Sequence, residues 1–251
     1  MGEDQAGKGD GVAGVAVVIG IESGNMTAIL RPTLGCEPAA LISAPANVLQ
    51  RFVLRNISWE TYEALLADLA EEHVFLTYDE GTLEFMSPLP KHERDGHLLS
   101  RLIQAFTEVL DIPIAGFGRT TWRSKASKKG LEADECFYIR TELQVRGRED
   151  IELPKDPPPD LAIEVDLTRN TIDKERVYAG LKIGELWRYE DERLIVRTLQ
   201  PDGQYIEVNE SPNLPKLPLL EVQRFMKLRH GAGETAWIRG FRKWVEERFH
   251  A

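Results

Sequence analysis

The chain has 251 residues, 42% hydrophobic and 29% charged, with a formal net charge of −10 and an isoelectric point near 5.1. This is an ordinary globular composition and excludes a disordered or membrane-embedded chain. The acidity excludes a protein that coats nucleic acid by bulk electrostatics, but not an enzyme that gathers carboxylates around a cation and meets phosphates with a local basic strip.

Cys36 and Cys136 are far apart and lack CxxC or Cys/His spacing, so no zinc site or disulfide framework is expected and a reducing, cytoplasmic setting fits. Residues 1–50, rich in Gly, Ala and Pro, read as a flexible N-terminal extension with one strand near Val12–Ile21. The apolar run Gly11–Ile21 follows Glu3, Asp4 and Asp10 rather than basic residues and is too short for a bilayer, so neither export nor a membrane span is expected.

Residues 51–251 are expected to form one domain. Ser58 can cap a helix with Trp59, Tyr62, Leu65, Leu66 and Leu69 on one face. Strands His73–Tyr78 and Thr82–Met86 flank the turn signal Asp79-Glu80-Gly81. After a break at Ser87–Pro90 comes an amphipathic helix that buries Leu98, Leu99, Leu102, Ile103, Phe106, Val109 and Leu110 and carries His92 and Glu93 in its first turn.

Strands are predicted at Ile112–Trp122 and Leu131–Ile139, separated by a polar loop with Arg123, Lys125, Lys128 and Lys129. Pro157–Pro159 launches a strand in which Leu161, Ile163 and Val165 alternate with Asp160, Ala162, Glu164 and Asp166. A helix at Asp173–Leu181, strands at Glu185–Tyr189, Arg193–Leu199 and Gln204–Val208, and helices at Leu219–Leu228 and Thr235–Phe249 complete a mixed α/β order.

The chemistry concentrates in Asp134, Glu164 and Asp166 on strands, with Lys174 on the helix that follows. Alternation puts Glu164 and Asp166 on one strand face about 7 Å apart along its axis, and Asp134 from a neighbouring strand could bridge to them. Such an oxygen set suits Mg2+, with Mn2+ as substitute, and hence phosphoryl chemistry, with Lys174 holding water or neutralising phosphate. An edge strand with its acids turned to solvent would give the same pattern. Arg123, Lys125, Lys128 and Lys129 would grip a DNA backbone or form a solvated loop. Trp122 reads as core or as a platform for a base. His92 reads as a polar surface residue or as a group that orients water or touches phosphate, and His97 as bordering the buried face of its helix.

Four stretches resemble the Uma-type family of restriction endonucleases within the PD-(D/E)XK nuclease superfamily, over about Arg51 to Trp244. They are Ser58-Trp-Glu-Thr-Tyr62; Leu83-Glu-Phe-Met-Ser-Pro88 with His92-Glu93; Leu131 to Ile139; and Pro158 to Thr168 followed by Tyr178 and Glu185–Tyr189. The resemblance implies a restriction-endonuclease-like central mixed sheet flanked by helices. It also implies Asp134 at the Asp position, Glu164 as the acid of the E-x-K pattern, and Glu93 as the helix acid completing the site. Asp166 stands where the pattern has lysine; Lys174 is the candidate replacement, and a surface lysine is the other reading of that position.

The resulting expectation is a Mg2+-dependent endonuclease cutting double-stranded DNA, paired as a homodimer. Asp134, Glu164 and Asp166 would bind metal, and Glu93, Asp134, Glu164 and Lys174 would carry catalysis. A nuclease fold without turnover, serving as a DNA-binding or interaction module, is the alternative that Asp166 motivates. A hydrolase of small phosphorylated substrates ranks last, because no phosphate-cradling glycine-rich loop is present.

Overall fold

The computed structural model describes residues 15–22, 25–32, 50–72, 74–87, 90–166, 171–231 and 233–249. The chain divides into two compact units, residues 1–50 and 51–251. In the first, β1 (Val15–Glu22) pairs antiparallel with β2 (Asn25–Pro32), in register from Val15↔Pro32 to Glu22↔Asn25. One strand was expected there; the second, whose run Met26–Leu30 has no clean alternation, forms by pairing. The remainder of the expected extension, like His73 of the first predicted hairpin strand, lies outside the described residues.

The second unit contains two sheets. β3 (Gln50–Leu54), β4 (Phe75–Asp79), β5 (Thr82–Ser87), β7 (Thr120–Ser124) and β8 (Lys129–Ala133) form one, in the order β3-β5-β4-β8-β7. β6 (Ala115–Gly116), β9 (Glu135–Tyr138), β10 (Leu161–Asp166), β11 (Glu185–Glu190), β12 (Arg193–Leu199) and β13 (Tyr205–Val208) form the other, in the order β13-β12-β11-β10-β9-β6. The six-stranded sheet is mixed: β10 runs parallel to β11 and antiparallel to β9.

The helices are α1 (Trp59–Asp68), α2 (Pro90–Val109), α3 (Glu142–Val145), α4 (Lys174–Gly180), α5 (Leu219–Leu228) and α6 (Glu234–Phe249). Ser58 caps α1 by accepting from the Thr61 N–H at 3.1 Å. The apolar stripe of α2 packs with Leu161, Ile163 and Val165 of β10 and with α5 and α6 in one core layer. Ala162 faces the opposite layer, with Val177 and Tyr178 of α4.

Strand β10 is therefore interior, with all six residues buried, and the edge-strand alternative is excluded. Burying carboxylates on such a strand costs several kcal/mol unless they are paired or share protons, so Glu164 and Asp166 require partners.

The predicted strand Leu131–Ile139 is in fact two strands in different sheets, broken by a bend at Asp134. Likewise Ile112–Trp122 resolves into β6 and β7. An unbroken apolar pattern carries no mark of a change of partner, since both halves alternate alike.

Candidate active site

Asp134 occupies the junction where the chain leaves one sheet for the other. The β9–β10 ladder ends at Ile163↔Glu135, and beyond it Asp134 Oδ2 accepts the Val165 N–H at 2.7 Å. That bond fixes the carboxylate against the C-terminal end of β10, next to Glu164. Asp160, at the other end of the strand, is used differently: its Oδ2 accepts from Ile139 N, Thr141 N and Thr141 Oγ1 at 2.8–2.9 Å and orders the turn after β9.

Asp173 caps α4 by accepting from the N–H groups of Glu175 and Arg176, which places Lys174 in the first helical turn. An ammonium there opposes the helix dipole, and its compensation is Glu164: Lys174 Nζ donates to Glu164 Oε1. One turn on, Tyr178 Oη donates to Glu164 Oε2 at 2.8 Å. Spacing of four puts both side chains on one face of α4, so each oxygen of Glu164 has a partner.

The third wall is the start of α2. His92 is buried, its Nε2 lies 3.4 Å from Asp134 Oδ2, and its ring packs 6.1 Å from that of Phe75. Donor atoms of His92, Asp134 and Glu164 all lie within 4.8 Å of one another. Glu93 is partly exposed and ion-paired with Arg119.

Burial, followed by the Glu164 charge, holds the Asp134 carboxyl well above the usual range, and burial raises Glu164 as well. Burial would lower Lys174, but the Glu164 and Asp134 charges outweigh it and leave the ammonium above an ordinary lysine. His92 is pulled down to about 4 by burial and then by the Lys174 charge, so its imidazole is neutral at pH 7 and able to donate a lone pair.

A divalent cation fits this set. Two buried acids with raised pKa values are short of positive charge, a neutral imidazole stands beside them, and the buried atoms His92 Nδ1 and Glu93 Oε1 have no hydrogen-bond partner. Oxygen ligands 2.0–2.1 Å from a magnesium ion lie about 3–4 Å apart, within small side-chain adjustments of the spacing found.

The Uma2 family model, described as "putative restriction endonuclease", matches residues 59–228, about two thirds of the chain. The chain belongs to the Uma2 family. Curated proteins yield no match. Among solved structures, this Uma2 chain is similar to one described as "a putative nuclease belonging to DUF820" from Anabaena variabilis. The two share 15% identity over 60% of this chain and 90% of that one, with a TM-score of 0.42.

Other residues singled out in the Uma2 sequence lie elsewhere. Asp166, expected as a metal ligand, is outside the three-residue cluster; its Oδ2 accepts from Arg188 Nε and Nη2 at 3.0 and 2.8 Å. Arg188 is itself shared with Glu175 and Glu190. Strand alternation did put Glu164 and Asp166 on one face, but β11 supplies a guanidinium to the second acid.

The residues of the basic loop have partners of their own. Lys129 is buried and ion-paired with Asp79 and Glu80, so it is spent within the fold. Arg123 and Lys125 line a separate cavity with Trp59 and Ile151, and Lys125 pairs with Glu60. Lys128 is exposed at a turn with φ of 52°. Trp122 is core, 1% exposed.

The two histidines exchange their expected places: His92 is buried in the site, whereas His97 is exposed, 3.7 Å from Glu234. Tyr178 and Arg119 were not assigned chemical roles from sequence. The spacing of four between Lys174 and Tyr178 was a usable signal for the first; nothing local marks Arg119.

Proposed function

We propose that the protein is a divalent-metal-dependent endonuclease that hydrolyses phosphodiester bonds of double-stranded DNA, with residues 51–251 as the nuclease unit. The observation that carries this reading is the convergence of Asp134, at the bend between β8 and β9, and Glu164 of β10 with a lysine supplied by α4. Family membership supports the reaction class.

Asp134 and Glu164 would hold Mg2+, with Mn2+ as substitute, and His92 stands as a third donor. The cation would supply Lewis-acid stabilisation of charge on the reacting phosphate and lower the pKa of water. Glu164 is kept in orientation by Tyr178. Lys174, held protonated by the two carboxylates, acts as a cation and hydrogen-bond donor toward water or phosphate rather than as a general base. Glu93 faces the same cavity as Asp134 and can accept a proton from water there. Cutting both strands calls for two such sites, which a homodimer would provide. No described helix is long and apolar enough to cross a membrane, and the reading places the protein in the cytoplasm with its DNA.

The test is nicking of supercoiled plasmid with Mg2+ or Mn2+. Cleavage is expected to stop with chelator and to fall by at least about 100-fold in Asp134→Asn and in Glu164→Gln. Undiminished cutting by both variants would refute it. Because Lys174 already neutralises Glu164, a second reading is a binding module without turnover; salt-dependent DNA retention with no cleavage under any metal would favour it.

A further inference from the structure

We infer that Arg119 is the residue through which this site grips the DNA backbone, contacting a phosphate beside the carboxylate cluster. The inference rests on the endonuclease reading and gives it a cation beside the carboxylates.

A cavity of about 390 Å³ opens beside Asp134, lined by His92, Glu93, Gly96, His97, Arg119 and Glu135 as well. Three of these residues are carboxylates. Arg119 is the one lysine or arginine among the described residues lining it. A polyanion could approach such a wall only where fixed positive charge meets it, and the guanidinium stands at that place.

The side chain is set in position without being used up. Its guanidinium carbon sits 4.2 Å above the centre of the Phe75 ring, and Nη2 donates to Glu93 Oε2. Among the described residues its other N–H groups, on Nε and Nη1, donate to no protein atom. A planar fork braced on an aromatic face, with donors left over, matches the two-point geometry by which arginine binds phosphate. A partly exposed pair such as Arg119–Glu93, with the arginine side chain 31% and the glutamate 34% exposed, is screened by solvent and held weakly. A phosphate can therefore compete for the arginine and release Glu93 into the cavity.

The experiment measures affinity of the full chain for a short fluorescein-labelled DNA duplex by anisotropy. It is run across a salt series in calcium, a hard cation that accepts carboxylate ligands with looser geometry than magnesium. Arg119→Ala is expected to weaken binding about tenfold and to lower the slope of log K against log salt by about 0.9, the signature of one lost phosphate contact. Arg119→Lys should keep most of the slope but lose affinity.

Arg119→Ala also exposes the Glu93 charge, so the double variant Arg119→Ala with Glu93→Gln separates the two effects. A slope that stays reduced in the double variant supports a phosphate contact; full recovery of affinity and slope would show that Arg119 merely masks Glu93 and would overturn the inference. Arg123→Ala should leave the slope unchanged. Wild-type protein that fails to bind DNA would defeat the endonuclease reading itself and this inference with it, whereas wild-type binding matched by Arg119→Ala would defeat this inference alone.

Discussion

The Lys174 ammonium donates a hydrogen bond to the carboxylate of Glu164, ten positions earlier in the chain. The residue two after Glu164, where the superfamily pattern has lysine, is Asp166, and its carboxylate is held by Arg188. The positive charge beside Glu164 thus comes from a helix instead of from the strand that carries the acid. A long flexible stem allows this, because the ammonium needs only to arrive and not to follow the strand's alternation.

Replacing that charge tests it directly. Lys174→Met should cut Mg2+-dependent nicking by at least about 100-fold, while Lys174→Arg should recover part of it by restoring the cation. The same Met variant should bind divalent metal no more weakly than wild type, since the ammonium competes with the metal for Glu164. Calorimetric titration with Mn2+ reads this, and much weaker binding would contradict the arrangement.

Asp166→Asn separates the two acids of β10. Removing a carboxylate bonded to Arg188, whose side chain is 23% exposed, should lower stability by about 1–2 kcal/mol yet leave Mn2+ affinity within about threefold. A loss of metal binding comparable to that in Glu164→Gln would return Asp166 to the ligand set, where second-sphere changes alone cost about 10–100-fold.

Tyr178→Phe deletes one hydrogen bond to Glu164 without changing the packing of the ring. Mn2+ affinity is expected to fall about tenfold, as for other partners that orient a metal ligand, with a stability loss of about 1–2 kcal/mol in urea unfolding. Unchanged affinity would show that Lys174 and the fold orient Glu164 unaided.

The pH dependence of stability should report on Glu132. Burial raises its carboxyl to about 7 from 4.5, so between those values the folded chain holds a proton that the unfolded chain has released. Its contribution is complete below the unfolded value and is lost as pH rises through about 7. In chelator, Glu132→Gln should therefore gain stability over wild type from acid to about pH 8, by about 2 kcal/mol after allowing for partial exposure. The other raised carboxyls, and His92 with its lowered pKa and opposite sign, are common to both proteins and cancel in the difference. A constant difference across pH would contradict the raised value.

Local pattern determined a great deal about this protein. Alternation over residues 160–166, the stripe of α2, the Ser58 cap and the run of strands and helices after Pro159 depend on neighbours within a few positions. The elements they announced are present, with β12 and α5 at the expected bounds. Glu164 lies on the strand where alternation put it, whereas Asp134, expected on a strand, lies at the bend between two.

What the tertiary structure alone decided was pairing. It broke one predicted strand at Asp134 so that two sheets share it, gave Asp166 to Arg188, sealed Lys129 against Asp79, and sank His92 beside Asp134 while leaving His97 in solvent. Charged side chains are long and their partners come from remote segments, so which charge meets which is fixed only when the sheets and helices pack. Burial then determines how strongly each pairing matters.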